Sequence, residues 1–190
     1  MPARRRRGGV LLGALAVALA IAAGIGALRH SGDSDRLTID QGPPRTRVPG
    51  VATRGSVAPP FDLSALTGHD RVSLASTRGH PVIVNFWASW CGSCRQEFPV
   101  LRTLAHDHPE VRVIGITFRD LPSDSRAFAR DQHATWTLAQ GGDDDRVGRA
   151  YGVRAIPQTF FIDRGGVIRA RAFGLPSTAA LDAVVTRISR

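Results

Sequence analysis

The chain's two cysteines, Cys91 and Cys94, lie at a predicted junction between a strand and a helix. Residues 82–87 (VIVNFW) precede them and are rich in β-branched and aromatic side chains, a composition typical of a buried strand. After Cys94, apolar residues recur at steps of three or four, which predicts a helix that buries one face. The fold must therefore lead a buried strand directly into a helix and hold both cysteines at the turn between them.

A helix N-terminus at this position favours thiolate chemistry. Its unpaired N–H groups and the helix dipole stabilise a thiolate over a thiol. Cys91 lies just outside the predicted first turn and is the candidate nucleophile. Cys94 lies inside the turn, on the same face and within reach of the sulfur of Cys91. The spacing predicts a disulfide that opens and closes reversibly.

Two other uses of such a pair fit the sequence less well. A structural disulfide stabilises most when it closes a long loop, whereas this pair encloses two residues. A zinc site needs four ligands, and the histidines after residue 60 show no standard zinc spacing with the cysteines: His69, His80, His106, His108 and His133. We therefore expect a redox-active pair, with no metal and no organic cofactor.

Residues 85–94 (NFWASWCGSC) resemble the active-site segment of the thioredoxin superfamily, and more narrowly that of the membrane-anchored TlpA/ResA/CcmG(DsbE)-like thiol:disulfide oxidoreductases. A second match, residues 155–163 (AIPQTFFID), is similar to the family's cis-proline loop and the strand after it. The resemblance spans roughly residues 56–190. It departs from the family at Gly92-Ser93, where proline is common, and at Asn85, where thioredoxin itself carries a buried acid.

The resemblance implies a protein-disulfide oxidoreductase in which Cys91 attacks and Cys94 resolves the mixed disulfide. It assigns further residues to the active-site loop and to the cis-proline loop: Trp90, Gly92 and Ser93, and Ile156 and Pro157, respectively. In the family the matching proline lies against the disulfide, and the backbone before it offers an edge to an extended substrate.

Two side chains near the cysteines carry separate expectations. Trp90 is expected to form an exposed platform, and Trp87 to lie in the core. Glu97, one helical turn after Cys94, is a candidate proton shuttle. The alternative is an ordinary surface carboxylate on the helix, and the sequence favours this alternative.

The resemblance implies the reductive direction, such as keeping the haem-binding cysteines of apocytochrome c reduced with electrons from a CcdA/DsbD-like membrane protein. The rival direction is oxidative, in which the protein donates disulfides to protein clients. An alternative of another class is a copper chaperone or a redox sensor that uses the two thiols without turnover.

The pattern along the chain predicts an α/β fold, a mixed sheet flanked by helices. A β-hairpin is expected between Phe61 and Leu74, where apolar and polar residues alternate on both sides of a turn. Further strands are expected at residues 111–118, 158–163 and 167–172, a short segment at 135–138, and helices at 123–133, 143–151 and 177–188, with Ser123 and Ser177 as N-caps. The resemblance narrows this arrangement to a thioredoxin fold with an added N-terminal β-hairpin.

The N-terminal residues predict a membrane anchor. Arg4 to Arg7 precede an uncharged run whose length as a helix, about 31 Å, matches a hydrocarbon core of about 30 Å. The charge asymmetry predicts a cytoplasmic tail, a transmembrane helix that acts as a signal anchor, a flexible linker and an extracytoplasmic domain: residues 1–7, 8–28, 29–57 and 58–190. The alternative is a signal peptide that is cleaved near residues 18–22, which also exports the domain.

The positive charge does not predict nucleic-acid binding. All 25 Lys+Arg residues are arginine, and the formal net charge is +9. The arginines are scattered along the chain and no aromatic residues are interleaved with them. The acidic residues 143–145 are expected to begin a helix rather than to bind a metal.

Overall fold

A computed structural model of the protein describes residues 52–142 and 144–190. The elements alternate between strands and helices after an initial hairpin. In chain order they are β1 (Asp62–Ser64), β2 (Arg71–Ser73), β3 (Val82–Trp87), α1 (Gly92–Asp107), β4 (Arg112–Thr117), α2 (Pro122–Asp131), β5 (Thr137–Ala139), α3 (Arg146–Tyr151), β6 (Gln158–Ile162), β7 (Ile168–Phe173) and α4 (Thr178–Ile188).

The predicted mixed sheet is confirmed. Five strands are hydrogen-bonded in the order β5-β4-β3-β6-β7, with β3, β4 and β5 parallel. β6 is antiparallel to both β3 and β7. β1 and β2 pair with each other as the predicted N-terminal hairpin. β3 is the middle strand and is buried along its whole length, because helices or loops cover both faces of the sheet.

Alternate residues of β3 pack into two different apolar cores, one on each face of the sheet. Ile83 and Trp87 belong to the core that includes both cysteines and residues of α1 and α4. Val84 and Phe86 belong to the core on the other face, beside α3 and the N-terminal hairpin. The period of two along a strand thus places the α1 N-terminus and its cysteines over one face.

An aromatic cluster supports α1 on that face. The ring centroids of Trp87 and Phe98 lie 4.9 Å apart, and those of Phe98 and Phe128 also lie 4.9 Å apart, both pairs in edge-on geometry. Trp87 stacks on Phe128 at 5.3 Å. These rings join the end of β3 to α1 and α2, so the turn that carries the cysteines has a tightly packed base.

The domain begins earlier than predicted. The backbone N–H of Ala52 donates to the carbonyl of Ala150 at 3.0 Å, and that of Gly55 donates to Ile168 at 2.8 Å. Residues 52–57, which the sequence analysis places in the linker, therefore belong to the domain's contacts. The predicted tail, the membrane helix at residues 8–28 and the remaining linker lie outside the described residues. Within residues 52–142 and 144–190, no helix has the length and apolar character needed to cross a membrane.

Two predicted helix starts are corrected. α2 begins at Pro122 with Leu121 as its N-cap, not with Ser123. Proline is well suited to the first helical position because it lacks the N–H that would be unpaired there. α3 begins at Arg146, and the side chain of the preceding Asp145 makes no capping bond. Ser177 does occupy the N-cap of α4, although its side chain also makes no capping bond.

Candidate active site

A disulfide joins Cys91 and Cys94 at the N-terminus of α1. Cys91 is the N-cap residue, and its Sγ accepts a hydrogen bond from the backbone N–H of Cys94 at 3.1 Å. The hydroxyl of Ser93 lies 3.5 Å from the same sulfur. Both donors favour negative charge on Cys91 once the disulfide is opened, and the helix dipole acts in the same direction.

The two sulfurs differ in access. Cys91 is 6% exposed, whereas Cys94 is 1% exposed. A client sulfur in solution therefore reaches Cys91 first. The burial of Cys94 suits a thiol that acts only within the protein, on the sulfur three residues before it.

The two tryptophans before this turn have opposite environments. Trp90 is 62% exposed, and its indole N–H donates to the carbonyl of Arg119 at 3.2 Å. Trp87 is completely buried. The indole bond orients a large apolar surface next to Cys91, and this surface is the exposed platform that the sequence analysis predicted.

Asp120 fixes the loop before the cysteines and was missed by the sequence analysis. Its carboxylate accepts hydrogen bonds from the backbone N–H of Ser89 at 2.7 Å and from the Ser89 hydroxyl at 2.8 Å. It also accepts the hydroxyl of Ser125 at 2.6 Å and the N–H of Leu121 at 3.1 Å. A signal was available, because Asp120 follows β4, whose C-terminal end adjoins that of the parallel strand β3.

Glu97 is buried, so the interpretation as a surface carboxylate is wrong. Its side chain is 7% exposed and lies on the same face of α1 as Cys94 and Phe98. One carboxylate oxygen, Oε2, accepts a hydrogen bond from the amide of Asn85 at 3.4 Å. The other, Oε1, has no hydrogen-bond partner among the described residues. Glu97 is thus an acid held inside the core one turn from the cysteines.

Burial raises the pKa of Glu97 from 4.5 to about 7, although the backbone N–H of Leu175 and the amide of Asn85 act in the opposite direction. Such a carboxyl group gains and loses a proton near neutral pH. The amide of Asn85 also donates to the hydroxyl of Thr159 at 2.9 Å. Because both amide N–H groups have acceptors, the Asn85 side chain is fixed between β6 and α1.

The Ile156-Pro157 peptide bond is cis. Ile156 packs against both apolar cores, including the one that contains Cys91 and Cys94. The carbonyl of Pro157 accepts a hydrogen bond from the backbone N–H of Gly174 at 3.2 Å, which ties this loop to the end of β7. The loop therefore lies at the same end of the sheet as the disulfide.

The described residues contain no group of three or more His, Cys, Asp or Glu side chains that could hold a metal ion. Within the acidic segment, Asp145 pairs with Arg119 and Asp144 pairs with Arg146. Asp143 lies outside the described residues.

A redox disulfide at a helix N-terminus, beside a five-stranded mixed sheet and a cis-proline loop, defines a thiol:disulfide oxidoreductase of the thioredoxin type. Comparison with known proteins supports this class. Residues 54–171 match the AhpC/TSA family. The chain is 37% identical over 133 residues to the thiol:disulfide interchange protein DsbE of Pseudomonas fluorescens biotype C. The aligned segment covers 70% of this chain and 71% of that relative.

Solved structures agree. A thiol:disulfide interchange protein of the thioredoxin family from Chlorobium tepidum TLS superposes with a TM-score of 0.64 at 26% identity, over 73% of this chain and 99% of that one. A secreted Mycobacterium tuberculosis disulfide oxidoreductase homologous to E. coli DsbE superposes with a TM-score of 0.59 at 25% identity, over 67% and 95% of the two chains. The chain therefore belongs to the AhpC/TSA family and, within it, to the DsbE-type thiol:disulfide interchange proteins.

Proposed function

We propose that the protein reduces disulfides in client proteins outside the cytoplasm while its N-terminal helix holds it in the membrane. The observation that carries the reductive direction is the buried Glu97, one turn from Cys94. A carboxylate in this position disfavours a second negative charge in the reduced site, and the dipeptide Gly92-Ser93 supplies no compensating positive charge. Glu97 thus limits the stabilisation that the helix N-terminus gives to the Cys91 thiolate, and a site that stabilises its thiolates less gives up electrons more readily.

The proposed reaction has two exchange steps. The thiolate of Cys91 attacks one sulfur of the client disulfide, so that a mixed disulfide forms and the second client sulfur leaves as a thiolate that takes a proton. Cys94 then attacks the sulfur of Cys91, the bond to the client breaks, and the client departs as a dithiol. Two electrons pass from the protein to the client, and the protein ends with the disulfide between Cys91 and Cys94.

Glu97 has a defined place in the second step. Cys94 is buried and must lose its proton before it attacks. The Glu97 carboxylate, with a pKa of about 7, is the buried base on the same helical face, and its Oε1 is not occupied by another donor among the described residues. In the reverse reaction the same group returns the proton to Cys94.

Client binding is assigned to the surfaces around Cys91. Trp90 offers an exposed ring, and the backbone before Pro157 offers an edge at which an extended client segment can pair. The packing of Ile156 against the core that holds both cysteines supports this role. Gly92 and Ser93 leave the approach to Cys91 open because their side chains are small.

The sequence also supports a proposal for the place of the reaction and for the partners. Four arginines before the uncharged residues 8–28 support an N-terminus in the cytoplasm and a domain outside it. The family resemblance supports apocytochrome c cysteines as clients and a CcdA/DsbD-like membrane protein as the electron donor. A reporter fused after Arg190 should be active outside the cytoplasm and stay in the membrane fraction, and recovery in the soluble fraction would instead show cleavage of the apolar segment.

The experiment that tests the reaction mixes the reduced full-length protein with an oxidised peptide that carries a CxxCH haem-attachment motif. We expect one peptide disulfide to be reduced for each disulfide formed in the protein, and no exchange when Cys91 is replaced by Ala. If the oxidised protein instead oxidises the dithiol peptide and the reverse does not occur, the oxidative alternative holds. Stoichiometric binding of Cu(I) without thiol exchange would favour the copper chaperone.

A further inference from the structure

An exposed patch lies at the active-site end of the outermost strand, β7. Phe173 is the last residue of β7 and the register partner of Gln158, which directly follows Pro157. The Phe173 side chain is 50% exposed. Arg171 lies two residues earlier, on the same face of the strand, with its guanidinium carbon 5.4 Å from the centre of the Phe173 ring.

A hydrogen bond connects the end of β7 to the cis-proline loop. Gly174, the residue after Phe173, donates its N–H to the carbonyl of Pro157. Leu175, the next residue, packs against the core that contains Cys91 and Cys94. Phe173 therefore lies beside the loop at Pro157, on the neighbouring strand.

Arg154 belongs to the loop between α3 and the cis peptide bond. α3 packs on one face of the sheet through the ring of Tyr151, 5.0 Å from the ring of Phe160. Phe160 is the register partner of Arg171, so α3 and Arg171 share one face. Arg154 is exposed and precedes Ile156 by two residues. We name Arg154, Arg171 and Phe173 the arginine patch.

The two guanidinium groups of the patch have no carboxylate partner among the described residues. Four other exposed arginines pair with neighbouring aspartates: Arg71 with Asp62, Arg119 with Asp145, Arg146 with Asp144 and Arg169 with Asp163. The positive charge is thus neutralised at those four positions and left open beside the cis-proline loop. A surface of this kind attracts negative charge and adds apolar contact through Phe173.

We propose that the arginine patch binds an acidic segment of the client protein, across the cis-proline loop from the cysteine that Cys91 attacks. This inference rests on the proposed function and specifies its client class. Asp or Glu side chains of the client pair with Arg154 and Arg171, and an apolar client side chain lies on Phe173. A client with lysines in the same position is disfavoured, so the patch selects among cysteine-containing clients by charge.

The test uses three oxidised peptides that share one CxxC core and differ only in the residues beside it, which are Glu, Gln or Lys. The second-order rate constant for oxidation of the reduced full-length protein is measured with each. We expect the Glu peptide to react fastest and the Lys peptide slowest, with a change of about two- to fivefold for each arginine contact. The difference in rate constant between the Glu and Lys peptides should decrease as the salt concentration rises, because salt screens exposed charges.

Variants of the patch separate binding from chemistry. In the double variant Arg154→Gln, Arg171→Gln, the rates with the Glu and Gln peptides should become equal, while the rate with the Gln peptide stays as in the parent protein. Arg112→Gln is the matched control, because Arg112 is exposed at the start of β4, the end of the sheet away from the cysteines. This control should keep the full preference for the Glu peptide.

The outcomes distinguish the patch from the reaction. Equal rates with all three peptides would show that the arginine patch does not bind acidic clients, and the reductase function would stay intact. A preference for the Glu peptide that survives in the double variant would show the same. A preference for the Lys peptide would overturn the patch as well. If the reduced protein exchanges with none of the peptides, the proposed function fails and the patch fails with it.

Discussion

The side-chain amide of Asn85 lies 3.4 Å from the carboxylate of Glu97, and this pair joins the middle strand of the sheet to the helix that carries the cysteines. Asn85 is 1% exposed and Glu97 is 7% exposed. The strand position that holds an acid in thioredoxin thus holds a neutral donor here, and the acid lies on the helix instead.

Replacing Glu97 by Gln should stabilise the oxidised protein at high pH. The pKa of Glu97 is raised in the folded state, so the folded protein binds its proton more tightly than the unfolded chain does. Stability from this group is full below pH 4.5 and is lost as pH rises toward 7. The interval between the two pKa values corresponds to about 3 kcal/mol at most, which is the gain expected for Glu97→Gln at pH 8. This gain in unfolding free energy is measured by urea unfolding at pH 5 and at pH 8, with tryptophan fluorescence as the signal.

Glu110 provides a matched control for that experiment, because it is the only other glutamate in the chain and is exposed. Glu110→Gln should leave the difference in unfolding free energy between pH 5 and pH 8 close to that of the parent protein. A loss of stability in Glu97→Gln at pH 8 would contradict the burial of a charged carboxylate at this position.

Replacing Asn85 by Asp should place two carboxyl groups within hydrogen-bonding distance of each other. Such a pair cannot easily carry two negative charges, so it should retain one proton to higher pH than Glu97 alone does. The pH profile for release of client from the mixed disulfide should shift to higher pH. Single-turnover release measured from pH 5 to pH 9 tests this, and an unchanged profile would separate Glu97 from the proton transfer.

Replacing Cys94 by Ala should trap clients as mixed disulfides on Cys91, because the resolving sulfur is absent. Cys91→Ala should trap few, since Cys94 is 1% exposed and cannot reach a client sulfur. Non-reducing gels of membranes that contain each variant measure the trapped species. Equal trapping by both variants would show that exposure does not decide which cysteine attacks.

Replacing Asp120 by Ala should weaken the active-site loop. The change leaves the N–H of Ser89 and the completely buried hydroxyl of Ser125 without their acceptor. We expect a loss of about 2 to 3 kcal/mol in unfolding free energy and a slower attack by Cys91. Asp124→Ala, an exposed aspartate in the first turn of α2, should show neither effect.

The sequence was sufficient for the features that depend on local pattern. The buried strand β3, the helix start at Cys91 and the hairpin at β1 and β2 follow from side-chain periodicity and from the positions of turn residues. The start of α2 was predicted two residues too late at the N-cap, because Ser123 is a good capping residue whereas Leu121 is not. Pro122 decided the boundary by fixing the first helical residue.

The burial of Glu97 depends on contacts that are distant in sequence. A glutamate on a helix is normally exposed, and nothing near Glu97 in the sequence predicts otherwise. Its environment comes from Asn85 on β3 and from Leu175, in the loop between β7 and α4. Asp120 was missed for the same reason, since its main partner, Ser89, belongs to a different loop.

The reduction potential of the disulfide between Cys91 and Cys94 tests the central claim most directly. The full-length protein is equilibrated with glutathione or dithiothreitol buffers at pH 7, and the oxidised fraction is measured at each ratio. A protein that reduces its clients should have a potential close to that of thioredoxin, about −270 mV. A potential near that of the strong oxidant DsbA, about −120 mV, would contradict the reductive function and assign the protein to disulfide donation.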